Sequence, residues 1–327
     1  MIDVLTFVLC FCILLILVLA IVLFLYAYLH TKNYVISILS DISKYLPNNS
    51  EYEYSEIKFN KFEELPDYHS DEMSEFLIYC NMATYNTYGG YPVEYPAFMN
   101  PIKTLGTGKI GQVYKVEDAH ALTYILVFRG TRTGEELIND LDSVQVSFTG
   151  KRDDILVHRG FHRLWKDTIL PELDNLGDIF NVGDCINIIA TGHSLGSANS
   201  LFTCLYLHGM FKKMGISCNF YIENFASPRI GNDKFISYLK EKVKHVITHI
   251  NIPDIVPNLP PVTLSTLGST WIYKDFDNIR QHDIQMGSVS VNHRLDTYLL
   301  SISKDYHTLS GSVPIWNYPY RIIETVT

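Results

Sequence analysis

Gly192-His193-Ser194-Leu195-Gly196 is the segment of this chain best suited to covalent chemistry. The pattern is G-x-S-x-G, and its flanks give it meaning. Cys185–Thr191 is an apolar run that reads as a buried strand, and Ser197–Met210 reads as a helix. A serine on such a strand-to-helix turn is held in a strained conformation, with its hydroxyl at the carboxyl edge of a sheet. Glycines at both ends are needed because a side chain there would collide with neighbouring backbone. The helix that follows aims free N–H groups and its dipole at negative charge forming nearby. A serine so placed attacks carbonyl carbons, provided that a histidine takes its proton and a carboxylate holds that histidine.

In a sheet of this kind the partners follow in the order serine, acid, histidine. His245–Ile252 reads as a strand ending in Pro253-Asp254-Ile255-Val256-Pro257, which puts Asp254 where the acid belongs. Asp275, Asp277 and Asp283 lie in polar, loop-like stretches and are poorer candidates. His282, His293 and His307 all follow Asp254. His293 precedes the helix-like stretch Leu295–Ile302, whose packing could fix an imidazole, whereas His307 has less around it.

These residues need a scaffold. Gln112–Glu117 alternates like a half-buried strand, and Ala121–Phe128 is a nearly continuous apolar strand. Helical stretches are expected at Met73–Tyr85, Gly160–Leu173, Ser197–Met210 and Lys234–Lys242. Unbroken apolar strands alternating with helices predict an α/β domain whose mostly parallel central sheet is flanked by helices on both faces. The 327 residues allow one large domain or two modest ones, and a 47% hydrophobic content excludes a disordered chain. A formal charge of −9 argues against nucleic acid as a partner. Cys80, Cys185, Cys204 and Cys218 have neither paired nor metal-like spacing, so no zinc site or disulfide framework is expected.

Val4–Leu29 is a run of 26 residues without a charge. As a helix it would span about 39 Å, more than a hydrocarbon core needs. No Lys or Arg precedes it, and Tyr26 and Tyr28 sit at its far end, so a retained transmembrane anchor is expected over residues 1–30 rather than a cleaved leader. Lys32 and Lys44 follow the span, which favours a single-pass protein with its catalytic domain on the cytoplasmic side. A stem or linker is expected over 31–70, with an amphipathic stretch at Val35–Leu46 that stops at Pro47, and the catalytic domain over 71–327.

Together, Gly192–Gly196, Phe225-Ala226-Ser227-Pro228-Arg229-Ile230-Gly231-Asn232 and Asp254-Ile255-Val256-Pro257 resemble the class 3 lipases. Val127-Phe128-Arg129-Gly130-Thr131 is similar to that family's oxyanion-hole strand, and Val157-His158-Arg159-Gly160-Phe161 to its helix-leading motif. The resemblance runs over roughly residues 70–300 and implies an α/β-hydrolase fold with no metal or organic cofactor. It implies Ser194 as nucleophile, Asp254 as acid and His293 as base, since His293-Arg294-Leu295-Asp296-Thr297-Tyr298-Leu299 carries the aromatic and apolar residues that follow the family's histidine. It further implies an oxyanion hole formed by Thr131 and the N–H of Leu195, and a lid over Arg132–Asp142. His158 and His193 are expected to be hydrogen-bonded supports. Leu137 stands where a lid Trp is usual, and Ser197 and Asn199 where small apolar residues are usual. The interval from Asp254 to His293 is also shorter than in fungal lipases. The implied substrate is a glycerolipid at a membrane or lipid-droplet surface. The alternatives are a non-catalytic lipase-like scaffold and an esterase of small soluble esters.

Overall fold

The computed structural model describes Tyr54 and residues 57–303, apart from 107, 118–121, 133–141, 151–153, 174–179, 181–185 and 267–268. The expected anchor, most of the stem, the greater part of the lid and His307 therefore lie outside the described residues. The chain divides into a unit of residues 1–48 and a unit of 49–327, and the second is the one described below.

The strand that ends in the serine motif, β6 (Ile186–His193), lies at the centre of a seven-stranded sheet. The order is β1 (Met99–Leu105), β2 (Gly111–Glu117), β3 (Leu122–Phe128), β6, β7 (Cys218–Phe225), β8 (His245–Asn251) and β11 (Ile279–His282). Neighbours from β3 to β11 pair in parallel, while β2 runs antiparallel to both β1 and β3. The unbroken apolar character of β3 follows from burial on both faces. Tyr124, Leu126 and Phe128 enter one core cluster, and Ile125 and Val127 enter the other. The first cluster is closed by α2 (Arg159–Thr168), α4 (Leu195–Met214) and α5 (Asp233–Lys242), the second by α1 (Asp71–Gly89) and α7 (Leu295–Ile302). Two short hairpins stand apart, β4 (Gln145–Ser147) with β5 (Leu156–His158) and β9 (Thr263–Thr266) with β10 (Ser269–Ile272). Before α7 lies the one-turn α6 (Val289–Asn292).

The expected α/β architecture and the helix at its start are present. Ser70 caps α1 by accepting a hydrogen bond from the Met73 N–H at 3.0 Å, and Gly90, in the left-handed region at φ 79°, ends it. The helix expected over Gly160–Leu173 is instead α2 and a separate turn, α3 (Leu170–Leu173). Pro171 has no N–H to continue the ladder, and its ring is tolerated only in the first turn of a new helix. Residues 57–70, read above as part of the stem, pack against α1. The rings of Phe59 and Phe62 meet Phe76 at 5.8 and 5.2 Å, and Lys61 pairs with Glu75 at 2.5 Å. Strand β7 has no clear signature in the sequence because Glu223 and Asn224 interrupt its apolar run. Both are buried, and each meets a side chain on a neighbouring element: Glu223 with His249 and Asn224 with Ser200.

His162, on α2, packs against Phe148, Trp165 and Phe202 with ring centroids 5.6–6.1 Å apart. Burial, helped by the charge of Lys166, pushes its pKa from 6.5 down to about 4. A base whose folded-state pKa is depressed leaves the unfolded chain binding more protons, so its contribution is complete above about pH 6.5 and declines towards pH 4. The urea midpoint is expected to fall between pH 7 and pH 5, and His162→Gln to reduce that fall. Equal slopes in wild type and variant would remove His162 from the account.

Candidate active site

Ser194 sits between β6 and α4 with φ 56° and ψ −128°. A non-glycine residue held there costs on the order of 1–3 kcal/mol and persists only where its surroundings over-determine it. They do so here. The Ser194 N–H donates to the Phe225 carbonyl at 3.0 Å, and the Ser194 carbonyl accepts from the Ser197 N–H at 3.0 Å. A Cβ on Gly192 would lie 2.2 Å from the Gly196 carbonyl oxygen, and one on Gly196 would lie 2.0 Å from that of Phe128. Strand, turn and helix thus touch backbone to backbone, which only glycine permits.

Asp254 follows β8, and its side chain is fully buried. Its Oδ2 lies 2.8 Å from His293 Nδ1 and accepts the Tyr298 hydroxyl proton at 2.8 Å, while Oδ1 accepts the Val256 N–H at 3.0 Å. The Tyr298 oxygen in turn accepts the Asn251 N–H at 3.0 Å. Because a carboxylate only accepts, the hydrogen-bond pattern assigns the His293 proton to Nδ1 and leaves Nε2 free to act as a base. The short interval between acid and base is cross-braced by two asparagines. Asn251 joins Ile284 and the Asn292 carbonyl at 2.8–3.2 Å, and Asn292 joins Gln285, Met286 and the Pro253 carbonyl at 2.7–3.3 Å.

A second set of contacts fixes the backbone on the other side of Ser194. A Cβ on Gly130 would lie 2.9 Å from Ser194 Cβ, so the loop carrying Thr131 runs directly beside the serine. The Gly130 N–H donates to the Tyr85 hydroxyl at 2.8 Å, and the Gly130 carbonyl accepts from Arg129 Nη1 at 2.7 Å. The Arg129 guanidinium is buried, bonds the Gly108 carbonyl at 2.8 Å and stacks 4.3 Å over the Tyr88 ring. His193 bridges this loop to the acid–base pair, with Nδ1 2.7 Å from the Tyr85 hydroxyl and Nε2 2.8 Å from the His293 carbonyl oxygen. A carbonyl only accepts, so Nε2 carries the proton. Burial above all, then the proximity of His293, depresses the His193 pKa well below its ordinary value and keeps the ring neutral. Nδ1 is therefore the acceptor for Tyr85. Leu195, as the first residue of α4, has an N–H with no acceptor within its own helix.

Ser194, Leu195, Thr131, Asp254 and His293 thus gather at the carboxyl edge of β3, β6 and β8. The other candidates go elsewhere. His282 bonds His249, Asp275 pairs with Arg229 at 2.5 Å, and Asp277 pairs with Lys240 at 2.7 Å. His158 caps α2 by accepting the Phe161 N–H at 3.3 Å. The lid segment is placed only at its ends, where Arg132 stacks 5.5 Å over Tyr88 and Asp142 pairs with Arg159 at 2.6 Å. Ser197 donates to the Gly192 carbonyl at 3.1 Å, whereas the fully buried Asn199 amide has no hydrogen-bonding partner among the described residues, which nothing in the structure explains. Tyr85, Asn251 and Asn292 carried no signal that singled them out, because each works through contacts distant in sequence, and Arg129 stood inside the oxyanion motif without a role. Tyr298 stood inside the histidine motif without a role. Among the described residues no group of three His, Cys, Asp or Glu is placed to hold a metal.

Tyr85→Phe would leave the Gly130 N–H without its acceptor and His193 Nδ1 without its donor. An unmet buried group costs about 1–3 kcal/mol, so a loss of stability in that range or above is expected in urea unfolding. A variant as stable as wild type would show that the bridge is not needed.

Residues 125–264 match the sequence family described as Lipase (class 3). A lipase of Rhizomucor miehei is 30% identical over 159 residues, which are 48% of this chain and 42% of that protein. A secreted mono- and diacylglycerol lipase of Fusarium solani is 30% identical over 108 residues, 32% of this chain and 30% of that protein. A phospholipase A1 of Arabidopsis thaliana is 26% identical over 160 residues, 42% of this chain and 30% of that protein. The chain thus spans less than half the length of these relatives. Among solved structures, a Yarrowia lipolytica lipase superposes with a TM-score of 0.50 over 69% of this chain and 85% of that one, at 18% identity, a likeness of fold.

Proposed function

We propose that this chain, which belongs to the class 3 lipase family, is a serine hydrolase of carboxylic esters in glycerolipids. The observation that carries the reading is the strained Ser194 turn at the start of α4, whose His193 ring bonds the backbone carbonyl of His293 at 2.8 Å while His293 bonds Asp254. In this reading Ser194 Oγ attacks the ester carbonyl carbon while His293 Nε2 takes its proton. Asp254 holds the ring and balances the imidazolium, and three donors on its carboxylate keep it from rotating. The N–H groups of Leu195 and Thr131 take the oxyanion. Gly130, held at both its N–H and its carbonyl, keeps that loop from reorganising as charge develops. His293 then protonates the leaving alcohol, and water deacylates Ser194 with His293 as base. No metal or organic cofactor enters this scheme.

Glycerolipid is favoured as substrate by two considerations. The Fusarium relative is named for mono- and diacylglycerols and the Arabidopsis relative for phospholipids. The uncharged stretch Val4–Leu29 would hold the enzyme on a membrane, as a single-pass anchor with the catalytic domain on the cytoplasmic side, where such lipids are concentrated.

Fatty-acid release from glycerolipid vesicles tests this reading. Ser194→Ala and His293→Ala are expected to lower it by about 10⁴-fold or more, while His307→Ala leaves it near wild type. A fluorophosphonate probe should label wild type at Ser194. A folded wild type that neither labels nor releases fatty acid would overturn the reading, and a dead His307→Ala would move the base.

A further inference from the structure

Behind the acid–base pair, on the α1/α7 face of the sheet, lies a second run of ionisable side chains that the hydrolytic scheme does not use. Glu223 on β7 and His249 on β8 are 6% and 1% exposed. Glu223 Oε1 accepts the Ser74 hydroxyl of α1 and lies 2.8 Å from His249 Nε2. His249 Nδ1 lies 2.9 Å from His282 Nε2, and His282 Nδ1 lies 2.8 Å from Ser301 Oγ on α7. Ser301 Oγ also lies 2.8 Å from the Tyr298 carbonyl oxygen, so its one proton has two acceptors within reach. The chain ends on the same turn of α7 whose Tyr298 hydroxyl holds Asp254.

Glu223 anchors this chain. Burial works to raise its pKa, but the hydrogen bond and charge of His249, with the Ser74 hydrogen bond, bring it below the usual 4.5, so the carboxylate accepts from His249 Nε2. Burial first, then the charges of His249 and Arg280, lower the His282 pKa to about 3 and keep that ring neutral. A neutral imidazole donates at one nitrogen and accepts at the other, so His282 links His249 Nδ1 to Ser301 Oγ.

We propose that Glu223, His249 and His282 are positioning residues of the catalytic acid: a buried, hydrogen-bonded carboxylate–imidazole–imidazole chain that pins α7 to β8 and so keeps the Tyr298 hydroxyl on Asp254. The proposal rests on the triad reading above. With the carboxylate at one end or the Ser301 hydroxyl at the other removed, a contact of 2.8–2.9 Å in this chain loses its partner and the seat of α7 loosens.

Two measurements on the full-length protein test this. In wild type labelled with ¹⁵N-histidine, the proton shared between His249 and His282 should be protected from exchange with solvent, and in Glu223→Gln or Ser301→Ala it should exchange faster. If that proton exchanges freely in wild type, the proposal fails whether or not a variant folds. In ester hydrolysis, Glu223→Gln and the milder Ser301→Ala should lower kcat, the first by about tenfold, with KM within about twofold. Unchanged kcat in both variants, beside an active wild type, overturns the positioning role alone. A wild type that leaves Ser194 unlabelled overturns the triad instead, and with it the acid that the chain is said to position.

Discussion

The backbone of Ser194 at φ 56° is the constraint on which the rest of this domain depends. Such a turn survives only because β6, α4 and the end of β3 approach at distances that admit no Cβ at Gly192 or Gly196. That approach in turn requires β3 and β6 to be paired in register up to Phe128 and Gly192, and requires α4 to lie flat on the sheet. The large apolar cluster under α2, α4 and α5 presses the helix down, so the energy that holds the serine in its strained state comes from ordinary hydrophobic burial at some distance from it.

Much of this was legible in the sequence, because the signals are local. A glycine-flanked serine between an apolar strand and a helix states its own geometry, and the strand that ends just before Asp254 puts that carboxylate at the sheet edge. The unbroken apolar runs of β3 and β6 predicted a sheet covered on both faces. What escaped were features whose stabilising partners lie far along the chain. Strand β7 is interrupted by Glu223 and Asn224, which read as loop residues until His249 and Ser200 are seen opposite them. Tyr85 is one tyrosine among 22 and acquires its role only through Gly130 and His193, 45 and 108 residues away. Phe59 and Phe62 looked like parts of a stem because nothing in their own neighbourhood shows the ring of Phe76 that receives them.

The two halves of the site are held by different means. The loop beside Thr131 is fixed through its backbone, with Arg129 on one side of Gly130 and Tyr85 on the other. The acid–base loop is fixed through side chains, since Asn251 and Asn292 tie the segment after β8 to the segment before α7. His193 touches both, and it does so as a neutral ring. That neutrality has a consequence for charge. Its ring centre lies 4.7 Å from that of His293, so a protonated His193 would face a second cation whenever His293 took the serine's proton. Burial removes this conflict by keeping His193 uncharged. The imidazolium that the proposed reaction creates at His293 then has Asp254 as its ionic neighbour. The same fold keeps the Glu223–His249 pair on a different part of the sheet face, and the neutral phenol of Tyr298 stands between that chain and Asp254. Each set of side chains is thus bonded within itself, and neutral hydrogen-bonding groups join one set to the next. This allows a proton to move at His293 without disturbing the buried Glu223–His249 contact behind it.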